Sequence, residues 1–206
     1  MTKIINLLNL IQQKPEIYIG QKSLSRLISF IRGYEYSFEC SIFEGFYEFV
    51  CTYYKYNGII TCDFEKVILL YSGFNEMIAF DNFYRIYEKW EHNKNNQTFG
   101  NEKNNSIHEV LKEVQDNPNQ TIKSKSFDRL MHFLYGYEFY KENYDESYVK
   151  VKWNEFYDYL TEKYLIDNKL TLNIEVIIKF ISNNDYDAFD VFFNEYILFF
   201  KKNKQN

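Results

Sequence analysis

Apolar residues along this chain recur at intervals of three and four, the spacing that lines one face of an α-helix. In the first segment the stripe is Ile4, Leu7, Leu8 and Ile11, and it returns as Ile107, Val110, Leu111 and Val114. A second helix carries Leu24, Leu27, Ile28, Ile31 and Tyr34 on one side, mirrored by Phe127, Leu130, Met131, Leu134 and Tyr137. Further helices are predicted at about 42–56 and 152–165, at about 63–72 and 173–182, and around Ala79–Tyr87 and Ala188–Tyr196. Only Gly58–Thr61 hints at the alternation of a strand. The fold class expected from this pattern is all-α.

The stripes repeat because the sequence does. KPEIYIGQKSLSRLISFIRGYE, ending at Glu35, reappears as NPNQTIKSKSFDRLMHFLYGYE, ending at Glu138, 103 residues later. Between Ile4 and Glu35 the ungapped register holds 13 identities in 32 positions, where ordinary residue frequencies would give about two. FYEFV at Phe46–Val50 matches FYDYL at Phe156–Leu160 at offset 110, and AFDNFYRIY at Ala79 matches AFDVFFNEY at Ala188 at offset 109. An insertion in the second copy, KENYDES from Lys141 to Ser147, accounts for the change of offset. The expectation is two tandemly duplicated helical-bundle repeats of about five helices each, residues 1–91 and 107–202, joined by a polar linker at 92–106 and packed as a pseudo-twofold pair.

Local signals punctuate each copy at the same places. The only two prolines, Pro15 and Pro118, stand just after the first helix and are read as stops. Ser23 and Ser126 occupy N-cap positions for the second helix. Gly33 and Gly136 fall inside that helix, where each costs about 1 kcal/mol relative to Ala; the repetition of the cost points to close helix approach or a bend.

Composition narrows the function classes. The chain of 206 residues is 20% aromatic, with 20 Tyr and 20 Phe, and carries a net charge of −5. Tyr needs a partner or water for its hydroxyl, so this many imply half-buried positions and an aromatic surface of the kind that binds proteins. The charge disfavours a phosphate-tracking face, so no direct nucleic-acid binding is expected. Residues 104–206 hold 17 acidic and 13 basic side chains against 12 and 11 in residues 1–103, which suits a basic partner for the second half. Cys40, Cys51 and Cys62 have no counterparts in the second copy and match no zinc spacing, so free thiols, no metal and a cytoplasmic location are expected. No apolar run approaches the length of a membrane span.

No nucleophile elbow, phosphate loop or metalloprotease motif is present in the sequence, and no enzyme or cofactor is expected. Asp128 and His132 lie four apart on one helix, but their counterparts are Ser25 and Ser29, which favours a surface ion pair over a catalytic dyad. His92 and His108 flank the linker and are read as solvated. Two acidic, tyrosine-bearing stretches remain as the candidate partner-binding surface: Glu142, Tyr144, Asp145, Glu146 and Tyr148 in the insertion, and Asp185, Tyr186 and Asp187 at the start of the last helix.

The pattern Pro-x-x-Tyr-x-Gly-x-x-Ser-Leu-x-x-Leu-x-x-Phe-x-x-Gly-Tyr at Pro15–Tyr34, with Ala-Phe-Asp-x-Phe-Phe at Ala188–Phe193, resembles immunity proteins of bacterial polymorphic toxin and contact-dependent growth inhibition systems. The resemblance implies a cytoplasmic inhibitor that neutralises a cognate toxin domain by protein–protein contact. The implied toxin is a basic nuclease, with an EndoU-like RNase as the named candidate. The alternative is a helical scaffold or adaptor that uses the same aromatic, acidic surface without a toxin partner.

Overall fold

A computed structural model describes residues 2–37, 42–58, 62–92, 105–145, 148, 152–166 and 172–203. Twelve helices, and no strand, occur among them: α1 (Thr2–Gln13), α2 (Pro15–Tyr18), α3 (Leu24–Tyr36), α4 (Phe46–Tyr54), α5 (Phe64–Tyr71), α6 (Glu76–Glu91), α7 (Ile107–Asp116), α8 (Pro118–Thr121), α9 (Phe127–Tyr144), α10 (Trp153–Lys163), α11 (Ile174–Phe180) and α12 (Asp185–Asn203). The protein is all-α. Ile59–Thr61, Cys40, Glu146 and most of the expected linker lie outside the described residues.

The chain sorts into two compact units. One comprises Met1–Asn104 with His132–Tyr140, the other Asn105–Met131 with Lys141–Asn206. The central part of α9 therefore belongs to the first unit and its two ends to the second.

Short-range capping fixes the helix starts. Ser23 accepts from the Arg26 amide and Ser126 from the Arg129 amide. Asp63 and Asn173 cap α5 and α11, accepting from Lys66 N and Val176 N. Asn75 and Asn184 do the same for α6 and α12. The prolines mark the stops as expected, α1 ending at Gln13 and α7 at Asp116, and each also opens a further single turn, with the Ile19 amide donating to Pro15 O at 2.8 Å and the Ile122 amide to Pro118 O at 2.9 Å. At the first helical position the missing N–H is an orphan in any case, so proline fits there without loss. Part of the insertion is helical. Lys141–Tyr144 continue α9, which runs 18 residues against 13 for α3.

Each unit is built round interlocked aromatic rings. In the first, Phe46 meets Phe83 at 5.7 Å and Tyr87 at 6.2 Å, and Phe83 stacks on Tyr87 at 5.8 Å. In the second, Phe156 meets Phe192 at 5.9 Å and Tyr196 at 5.8 Å, and Phe192 stacks on Tyr196 at 5.8 Å. The partners correspond at offsets 109 and 110. Edge-on rings at such separations add to simple area burial.

Two polar contacts recur in the same way. Glu76, in the first turn of α6, accepts from the Ser25 amide at 2.9 Å, and Asp185, in the first turn of α12, accepts from the Asp128 amide at 2.8 Å. Lys22 pairs with Asp81 at 2.8 Å and Lys125 with Asp190 at 2.6 Å. A carboxylate placed at the start of α3 or α9 satisfies an amide that has no partner within its own helix.

Candidate binding surface

Three of the acidic residues singled out in the second unit, Asp145, Asp185 and Asp187, are engaged in holding the fold. Asp145, just past the end of α9, pairs with Lys141 at 2.7 Å, and the Lys141 side chain is only 3% exposed. Asp185 accepts the Asp128 amide. Asp187 accepts from both the backbone and side-chain nitrogens of Asn183, at 2.8 and 2.9 Å, while the cap of α12 is Asn184. Tyr186 lies under the Lys125 ammonium, 3.9 Å from its ring centre. Glu142 is exposed, Tyr144 and Tyr148 are half-buried, and Glu146 lies outside the described residues.

These residues do not form one patch. Asp185 sits at the N-terminal end of α9 through its bond to Asp128, whereas Asp145 follows the C-terminal end. From Asp128 to Tyr144 the helix advances 16 residues, about 24 Å at 1.5 Å per residue.

What the pattern of apolar positions did not reveal is how many large apolar side chains stay in water at the helix corners. Where α5 turns into α6, Leu70, Tyr71, Phe74, Met77 and Ile78 are exposed, Phe74 by 71%. The turn passes through Gly73 at φ 62° and Phe74 at φ 57°. A left-handed phenylalanine carries a conformational cost of its own, and here its side chain gains no burial in return. At the α11–α12 corner Val176, Phe180 and Tyr186 are exposed, Phe180 by 80%. Asp185 and Asp187 start the helix that leaves this corner, so the second predicted acidic group does have an aromatic neighbour in the chain.

The buried polar groups read as structural. Glu195, 6% exposed, receives Lys163 at 2.6 and 2.8 Å, Tyr159 OH at 3.0 Å and Tyr164 OH at 2.8 Å. Burial pushes its carboxyl up, but the lysine and two phenols outweigh that and hold it below the usual range. Glu35 goes the other way. Burial dominates over the Ile42 amide and the Arg32 charge, and its carboxyl is raised to about 7.

His132 is not at the surface, as an ion pair with Asp128 would place it. It is 2% exposed, and its Nε2–H donates to the Ile19 carbonyl at 3.1 Å; because a carbonyl only accepts, the ε nitrogen carries the proton. Asp128 is held by Lys179 at 3.1 Å. His108 is exposed but not merely solvated: Nδ1 meets Tyr196 OH at 2.8 Å and the ring packs edge-on to Phe200 at 4.4 Å. Cys51 and Cys62 are free thiols. Among the described residues no three His, Cys, Asp or Glu side chains converge as a metal site would need, and no helix is long and apolar enough to cross a membrane.

No family model, curated protein or solved structure matches this chain.

Proposed function

We propose that this chain is an inhibitor of the immunity-protein class, which neutralises a cognate bacterial toxin domain by binding it. The observation that carries the reading is the pair of helix corners that leave Phe74 and Phe180 in water, 71% and 80% exposed, with further apolar side chains around each. Folding gives no return on such exposure, whereas a partner surface would bury it, and aromatic side chains supply most of the energy where proteins meet. The excess of acid in the second half favours a basic partner such as a nuclease domain, with an EndoU-like RNase as the candidate, and charge then sets the association rate.

The scaffold in this reading is an ancestral helical module copied in tandem and paired about a pseudo-twofold axis. The matching aromatic cores and the repeated carboxylate contacts at Ser25 and Asp128 support that descent. The protein works in the cytoplasm, without cofactor, catalysis or direct contact with nucleic acid. The test is co-expression with the product of the gene immediately upstream. Growth arrest by that product, relieved by this chain, is the expected result. A harmless neighbour would instead favour a scaffold or adaptor role for the same corners.

A further inference from the structure

The second unit contains a cleft of about 540 Å³ between α7 and α12, whose walls include Leu111, Phe193 and Phe200. Its size lies within the range of small-molecule sites, which are largely apolar with a few placed polar groups. Here the polar groups are the joined His108 and Tyr196 side chains, and two lysines, Lys112 and Lys201. Among the described residues neither lysine is held in an ion pair, and the single acid on the wall is Asp116. The lining thus carries a positive excess in a chain whose net charge is −5.

Several of the corresponding positions of the first unit differ in chemistry. At offset 103, Lys112 answers to Asn9 and His108 to Ile5; at offset 109, Phe200 answers to Glu91, Ile197 to Glu88 and Phe193 to Tyr84. The Tyr84 hydroxyl donates to the Leu8 carbonyl at 2.9 Å, a bond that a phenylalanine at 193 cannot make. Maintaining a fold requires neither the lysines nor the loss of that hydroxyl. The apolar walls with a cationic rim belong to the second copy alone.

We infer that the α7–α12 cleft binds a small amphipathic carboxylate, its apolar body lying along Ile197 and Phe200 and its anionic head meeting Lys112 and Lys201. The head gains charge-assisted hydrogen bonds from ammonium groups that otherwise face water, and the body is withdrawn from water against those two side chains. The inference is independent of the toxin reading, since it concerns a different surface and a different kind of ligand.

The experiment is titration of the full chain with octanoate, read by amide chemical shifts and calorimetry, beside 1-octanol and octylammonium. Saturable octanoate binding is expected, with shifts centred on α7 and α12 and affinity at least tenfold above that of octanol. The double variant Lys112→Glu/Lys201→Glu is expected to lose octanoate by tenfold or more and to gain octylammonium. Ile197→Trp, which adds bulk at a position already 38% exposed, is expected to block both with an unchanged circular dichroism spectrum. No saturable binding, equal affinity for octanoate and octanol, or binding indifferent to the lysine reversal would each overturn the assignment.

Discussion

Gly33 of α3 and Gly136 of α9 stand in the same relation to the helix opposite. A β-carbon on Gly33 would lie 1.8 Å from the Phe133 carbonyl oxygen, and one on Gly136 would lie 1.8 Å from the Phe30 carbonyl oxygen. Phe30 and Phe133 are themselves counterparts at offset 103, so the contact is reciprocal. The obstacle is backbone in both cases and cannot swing aside. Gly33→Ala or Gly136→Ala would raise helix propensity by about 1 kcal/mol if the position were open. At this crossing each is expected instead to destabilise by about 3 kcal/mol, because the helices must separate. Urea unfolding of the two variants gives the sign.

Glu76 and Asp185 do the same work to different extents. Glu76 receives the Ser25 amide and also the hydroxyls of Ser25 at 2.6 Å and Ser23 at 3.0 Å. Asp185 receives the Asp128 amide. Glu76→Ala is expected to cost about 2 kcal/mol and Asp185→Ala about 1 kcal/mol. Equal losses would mean that the serine hydroxyls contribute nothing.

Within the insertion, stability and binding separate at neighbouring residues. Asp145→Ala removes the carboxylate 2.7 Å from the buried Lys141 ammonium and is expected to cost about 2 kcal/mol. Glu142→Lys, on an exposed position, leaves the melting temperature within a few degrees while slowing association with a basic partner. Stopped-flow association at two salt concentrations checks the second effect, and thermal melts check the first.

Two carboxyls give opposite pH dependences. Glu35 is raised from 4.5 to about 7, so its neutral form favours the fold. That contribution is complete below pH 4.5 and disappears as pH rises through 7, amounting to at most about 3 kcal/mol. Glu195 is lowered, so its contribution is present above pH 4.5 and is lost as pH falls through its folded value. Glu35→Gln is expected to flatten the urea midpoint between pH 5 and 8, and Glu195→Gln to flatten the decline on the acid side.

The helices and caps were legible in the sequence because they depend on residues within one turn of each other. Ser23 and Ser126 are examples, each bonding an amide three residues on. The glycine pair was legible as well, since a cost incurred twice at the same place needs a shared cause. Glu76 at the start of α3 was not, because 51 residues separate it from Ser25 and nothing local marks the contact. The exposure of Phe74 and Phe180 was equally hidden. An apolar residue at the end of a helical stripe reads as core, and only the left-handed turn at Gly73 and Phe74 carries that side chain outward. That Asp145 is held by Lys141 and Asp185 by the Asp128 amide was hidden for a related reason: composition reports charge but not which amide or lysine already holds it.

The most direct test of a partner-binding function is the dissociation constant between the purified chain and the upstream gene product, measured for the wild type and for Phe74→Ser and Phe180→Ser singly. The substituted side chains are 71% and 80% exposed, so folding is expected to be unaffected. Tight binding by the wild type, weakened about a hundredfold by at least one substitution, is the predicted result. Wild-type binding that neither substitution alters, or no binding at all, would contradict it.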